Sequence, residues 1–277
     1  MNISRKLYNL THPVVGEIWC LHRVLPMRSR FGNNRELEVT PDFLERAINE
    51  NIANGSRFVS TDEFMKAATG RLPYFGKRLI NITFDDGFGD IYHYAYPIML
   101  KYRIPFTVYL TTDMPDGNAD LWWLQLENLV NGDEGLFEDM VRRIYDSGQN
   151  MSKVMHRMTQ SQPDLDLVKT LSLSWEQLGR MCSEGLCTIG SHTVSHPRLD
   201  SLSENEVERE LRVSKQRIEE VLNVEVKHFS FPYGFNNDAV MQAVWKAGYM
   251  SAVLGYGGST RWNRSLKLFY RRCMVQE

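Results

Sequence analysis

Apolar residues recur along this chain in two alternating rhythms. Short dense runs are rich in β-branched and aromatic residues, and longer stretches carry the spacing of one helix face. The runs GEIWCLH (16–22), RLINITF (78–84), PFTVYLTT (105–112), LCTIGSH (186–192), VKHFSFPYG (226–234) and SAVLG (251–255) read as strands. Between them, Thr40 and Pro41 supply an N-cap and a first helical residue, followed by an apolar face at Leu44, Ala47 and Ile48. Ser60 to Glu63, Ser174 to Gln177 and Ser203 to Glu206 match the capping box that opens a helix. The last opens a long one, with Val207, Leu211, Ile218, Val221 and Leu222 at helical spacing. Residues 91–103 predict a helix kinked by Pro97, and 238–249 a final helix. Residues 113–173 are less regular and read as an insertion or elaborated loop.

Alternation of this kind predicts an α/β fold with a mostly parallel sheet, open or barrel-shaped. Ligands of such folds bind at the C-terminal ends of the strands. The 277 residues accommodate one such domain. A net charge of -2 with no basic run gives no footprint for nucleic acid or for an anionic membrane. No stretch has the length and apolarity of a transmembrane segment. The N-terminal residues lack a signal-peptide core and cleavage site, so the cytoplasm is the expected compartment. Cys20, Cys182, Cys187 and Cys273 form no CxxC pair and no disulfide framework, and reduced thiols are expected. A zinc site on Cys182 and Cys187 lacks matching ligands.

Candidate chemistry sits at the strand ends. TFDDG places Asp85 and Asp86 side by side, where two carboxylates repel and lose hydration unless something compensates. A cation is one answer and a surface turn the other. GSHTVSHPRL holds His192 and His196, and the first strand ends at His22. The His-x-x-x-His spacing suits one helix face, but Thr193 and Val194 are β-branched and Pro197 drives His196 from helical dihedrals. A loop after the strand is the better placement. Two histidines and a carboxylate, Asp86 or Asp85, form an open zinc-type site from there. Each histidine taken alone is equally a hydrogen-bonded structural residue.

TFDDG, then SHTVSHPRL, then FSFPYG in this order resembles the polysaccharide deacetylase family, the NodB homology domain of carbohydrate esterase family 4, over roughly residues 14–277. The resemblance implies a deformed (β/α) barrel over the single domain 1–277, a divalent metal, most often zinc, and hydrolysis of an N-acetyl group on an amino sugar or glycan. It implies Asp86, His192 and His196 as metal ligands, and Asp85 as the general base acting on the attacking water. The backbone N–H of Tyr233 is the implied oxyanion donor, with Pro232 beside it in the substrate site. The C-terminal Leu-x-His motif of many members is absent. CLHRV instead resembles the branch that includes the poly-N-acetylglucosamine deacetylases, which makes His22 the implied general acid, an imidazole suited to that role near neutrality. Ser230 stands where the family often carries the arginine that orients the base.

Trp122 and Trp123 either stack on sugar rings or form a core under the insertion. With a cytoplasmic location, the substrate is expected to be a nucleotide-linked or lipid-linked amino sugar, the latter reached at the membrane periphery, or a glycan under assembly. Two alternatives stay open. One is another C–N amide hydrolase, a deformylase or amidase, on the same barrel. The other is a glycan-binding homologue with weak or no turnover.

Overall fold

The structure, a computed structural model, describes residues 12–73 and 76–276. Residues 1–11, the first part of the N-terminal stretch on which the expectation of a cytoplasmic compartment rests, lie outside the described residues. Among the described residues twelve strands follow in chain order: β1 (Val14–Leu21), β2 (Arg23–Val24), β3 (Glu38–Val39), β4 (Arg57–Phe58), β5 (Leu79–Asp86), β6 (Phe106–Leu110), β7 (Cys187–Ser191), β8 (His228–Ser230), β9 (Ser251–Leu254), β10 (Thr260–Arg261), β11 (Leu268–Tyr270) and β12 (Arg272–Cys273). The main sheet runs β10-β1-β5-β6-β7-β8-β9-β11, parallel throughout except where β10 meets β1. β11 pairs with β9, and β12, one residue further on, pairs with β1. Residues 268–273 therefore join the two edges of the sheet and bend it into a nearly closed barrel.

Alternation along β5 sorts its side chains. Ile80, Ile82 and Phe84 face outward into the main apolar cluster, which the surrounding helices complete with Leu44, Ile48, Met99, Leu178, Leu211, Ile218 and Val244. Leu79, Asn81, Thr83 and Asp85 face inward. A second cluster gathers Val15, Leu79, Tyr109, Val253 and Phe269 with Phe64 of the helix Thr61–Ala68. These strands are not all neighbours, so the cluster lies inside the barrel. The same helix offers Thr61, whose hydroxyl bonds Asn81 at 3.0 Å and Thr107 at 2.6 Å. The N-terminal end of the barrel is thus filled, and the C-terminal end is left open for chemistry.

The helix starts follow the expected caps. Thr40 accepts from Phe43 N–H with Pro41 in the first turn, and Ser60 and Ser174 form reciprocal capping boxes. Near Pro97 the chain is irregular just ahead of the proline: residues Ile91–Ala95 form a widened π turn before regular helix at Tyr96–Tyr102. Proline has no N–H for the carbonyl one turn back, and the wider turn absorbs that loss. The strand expected over 226–234 is shorter, because Pro232–Gly234 leaves the sheet as a tight 3₁₀ turn.

Residues 113–173 are more regular than their pattern suggests. They hold the helices Asp113–Asp116, Trp122–Leu129, Glu134–Asp146, Met151–Thr159 and Leu165–Leu171. Asp133, Asn150 and Asp164 cap the last three by accepting the backbone N–H three residues on. Their apolar faces make a separate cluster of Trp122, Leu126, Phe137, Ile144 and Met155, which also takes in Phe31. Among the described residues no helix is long and apolar enough to cross a membrane.

Candidate active site

Asp85 and Asp86 close β5. Neighbours on a strand point to opposite faces, so the second carboxylate ought to point away from the barrel mouth. It does not, because Asp86 has φ 72° and turns its side chain back to the mouth. Three other residues here share this left-handed backbone: Thr193 (φ 72°), His196 (φ 56°) and Tyr233 (φ 56°). For residues with a Cβ this conformation is strained and needs support from its surroundings. Glu210 gives such support, its carboxylate accepting from the N–H groups of Val194 and Ser195 and from the Ser195 hydroxyl. His196 follows Thr193 in a loop, as Pro197 requires, and its N–H donates to the Thr193 hydroxyl.

Asp86 Oδ1 lies 3.4 Å from His192 Nε2 and 3.3 Å from His196 Nε2. His192 Nδ1 donates to the Ser230 carbonyl at 2.8 Å, which in the neutral ring leaves Nε2 with a lone pair. Burial holds His196 down to about 4, with Asp86 opposing and His192 adding to the shift, so that ring is neutral near pH 7. Burial also lowers His192, but the two aspartates outweigh it and raise the ring above its ordinary value. Burial raises Asp86, and the His192 ring facing it and the other nearby imidazoles more than reverse this, holding it well below the usual carboxylate range. Asp86 Oδ1 and His196 Nδ1 are nonetheless buried without a hydrogen-bond partner. A tetrahedral zinc with bonds of ~2.0–2.1 Å sets its ligand atoms about 3.3 Å apart. The donor set fits a divalent cation in spacing, in chemistry and in the orphaned oxygen it presents.

Asp85 is held by a residue that sequence reasoning did not single out. Arg271, in the one-residue link between β11 and β12, is 1% exposed. Its Nη1 donates to Asp85 Oδ1 at 2.6 Å and its Nη2 to Asp85 Oδ2 at 2.5 Å. Its remaining donors go to Thr83 Oγ, Ser230 Oγ and the Leu254 carbonyl, so all five guanidinium N–H groups are used. Ser230 Oγ also donates to Asp85 Oδ2 at 3.1 Å. The serine therefore does not leave Asp85 unsupported, because the guanidinium arrives from the link between β11 and β12. Burial alone raises Asp85; Arg271, with His192 adding, reverses this and keeps it ionised.

His22 lies on the other side of Asp85, where its ring nitrogen, the Cys20 thiol and an Asp85 oxygen all fall within 4.8 Å of one another. A cleft of ≈ 740 Å³ brings His22, Asp85, Asp86, His192, His196, Tyr233 and both tryptophans together. Trp122 is 2% exposed and donates its indole N–H to Tyr233 O–H at 3.0 Å. Trp123 is half-buried, its ring 5.6 Å from that of His196. Pro232 is buried and does not line the cleft. His156 bonds Asp120 and Ser161, and His228 bonds Asp62 and Ser251, both away from the cleft as structural residues.

The barrel with paired aspartates, two histidines and a Pro-Tyr-Gly turn at its open end defines a class. The chain belongs to the polysaccharide deacetylase family, whose profile matches residues 73–252. Among curated proteins it is 22% identical to YxkH of Bacillus subtilis (strain 168) over 195 residues, 70% of this chain and 51% of that one. The chain thus spans about half the length of that relative. Among solved structures it is similar to the deacetylase PplD of Streptococcus pyogenes in complex with acetate, at 21% identity and TM-score 0.68, covering 95% of this chain and 93% of that one. IcaB from Ammonifex degensii gives 20% identity and TM-score 0.68 over 95% and 92% of the two chains. At these identities the structural likeness shows the fold.

Proposed function

We propose that the chain works as one domain, a metal-dependent hydrolase that removes the N-acetyl group of an amino sugar within a glycan. The observation that carries this reading is the meeting, in one cleft, of an orphaned Asp86 oxygen faced by two imidazoles and an Asp85 carboxylate held ionised by Arg271. Asp86, His192 and His196 would hold the cation, with zinc the best match to an oxygen-and-imidazole set of this spacing. When bound, it supplies Lewis-acid polarisation and makes water more acidic.

The chain's own residues do the rest. Asp85 takes a proton from the attacking water, while Arg271 keeps the carboxylate in its basic form and fixed in direction. The backbone N–H of Tyr233 faces the developing oxyanion. His22 gives its proton to the departing amine as the C–N bond breaks, yielding acetate and the free amino sugar. Trp123 offers a ring face beside His196 for a sugar to stack on, and Trp122 holds Tyr233 in place. Ser230 and the absent C-terminal histidine motif favour a binding-only reading on sequence grounds; the Arg271–Asp85 pair weighs against the first of these.

Acetate release from N-acetylglucosamine oligomers by zinc-loaded protein tests the reading. Wild type should release acetate. Asp86→Ala should lose metal and activity, and His22→Ala should lose activity while keeping metal. Zinc binding with no acetate release, set against release of formate or of ammonia from small amides, would move the assignment to another C–N hydrolase.

A further inference from the structure

The seam that closes the barrel carries two cysteines opposite each other. In the parallel pairing of β12 with β1, Cys273 is the register partner of Cys20. Neighbouring strands lie ~4.8 Å apart, within the ~4.4–6.8 Å between Cα atoms that a disulfide spans. The Cys20 thiol lies within 4.8 Å of donor atoms of His22 and Asp85, and Cys273 lines the same cleft. Their access differs: Cys273 is exposed, and Cys20 is 1% exposed.

We propose that Cys273 and Cys20 are a redox-active dithiol at the mouth of the barrel, Cys273 reacting first with a small disulfide from solvent and Cys20 resolving the adduct into a Cys20–Cys273 disulfide. The Cys273 thiolate attacks one sulfur of the oxidant, and the oxidant's other half leaves as a thiolate. Cys20 then attacks Cys273 sulfur, gives up its proton and expels the second half of the oxidant. Two thiols are oxidised and one small disulfide is reduced to two thiols.

The surroundings suit this order. The facing Cys20 side chain brings Cys273 down to about 7, and the Arg271 guanidinium adds to this. The same contact, with burial, pushes Cys20 up, so it keeps a proton until the adduct forms. A metal is the weaker reading of Cys20, His22 and Asp85, because both oxygens of Asp85 are already bonded to Arg271. Arg271 lies two residues before Cys273, so the disulfide would tie to β1 the segment that carries the partner of Asp85.

The full chain is incubated with glutathione disulfide, alkylated and mapped after trypsin. The expected product is peptide 7–23 joined to 273–277, with loss of alkylation at both Cys20 and Cys273. Cys20→Ser should stop at a stable glutathione adduct on Cys273. The inference is overturned if wild type keeps that adduct while Cys20 is alkylated, or if only Cys182 and Cys187 become linked. The wild-type map decides the matter even if the variant fails to fold.

Discussion

Replacing Arg271 by methionine keeps the apolar stem of the side chain and removes the guanidinium with its charge. Its side chain and that of Asp85 are 1% and 3% exposed, so neither has water to fall back on. Loss of the guanidinium removes two of the hydrogen bonds to the buried Asp85 carboxylate and leaves it the Ser230 hydroxyl. Removing one member of a buried, hydrogen-bonded pair costs ~3–5 kcal/mol. For a chain of this size that corresponds to a fall in melting temperature on the order of 10 °C. A second readout separates function from folding. Burial pushes the Asp85 carboxyl up and Arg271 pulls it down, so in Arg271→Met the carboxyl should hold its proton to higher pH. The acid limb of the pH–rate profile should move upward, since Asp85 in its proposed role as general base must be ionised. Adding Asp85→Asn to Arg271→Met removes the stranded charge and should restore much of the lost stability while abolishing turnover. An Arg271→Met protein with wild-type melting and an unmoved acid limb would refute the reasoning, as would a double variant whose losses simply add.

Stripping the zinc-loaded protein with a chelator should lower its melting point; at a free metal concentration of 100 Kd the bound ion is worth ~2.7 kcal/mol, and Asp86→Ala should show no such gain. Gly87 has φ +107°, and a Cβ there would sit 2.6 Å from Leu110 Cδ1, so Gly87→Ala should cost ~1–3 kcal/mol in denaturant titration; an unchanged midpoint would contradict this. Asp62 is lowered to about 2 by its hydrogen bond with His228, so the stability it contributes is present above pH ~4 and lost as pH falls towards 2. It is partly exposed, which limits the contribution to under ~1 kcal/mol. Asp62→Asn should flatten the melting curve between those pH values, and identical slopes in both proteins would count against the pair.

The parts of the site readable from sequence are local. Asp85, Asp86, His192 and His196 each announce themselves as polar groups at the end of an apolar run, where a strand has stopped and a loop begins. Arg271 does not, because its partner is 186 residues away and LFYRRC is too short a run to stand out as strands. The redirection of Asp86 is equally hidden: a positive φ is legible at glycine but not at aspartate. In 113–173 a signal was present and weak. Asp133, Asn150 and Asp164 are caps, but none is followed at the third helical position by the Glu or Gln that completes a box. The paired tryptophans divide by one residue of helical rotation, Trp122 inward and Trp123 towards His196, which composition alone could not resolve.

The seam also bears on how the molecule is assembled. β1 finds β5 some sixty residues later, but it meets β12 only after about two hundred and fifty. Contacts of such sequence separation are slow to form, because the loop must close before any pairing rewards it. Until then the far edge of β1 presents unpaired backbone groups, the surface on which strands of separate molecules add to one another. Residues 268–273 are therefore a protective cover for the part of that edge beyond β10, as well as the carrier of the partner of Asp85. A chain that stalls before docking them would be inactive and prone to associate with its own copies, two defects with a single origin.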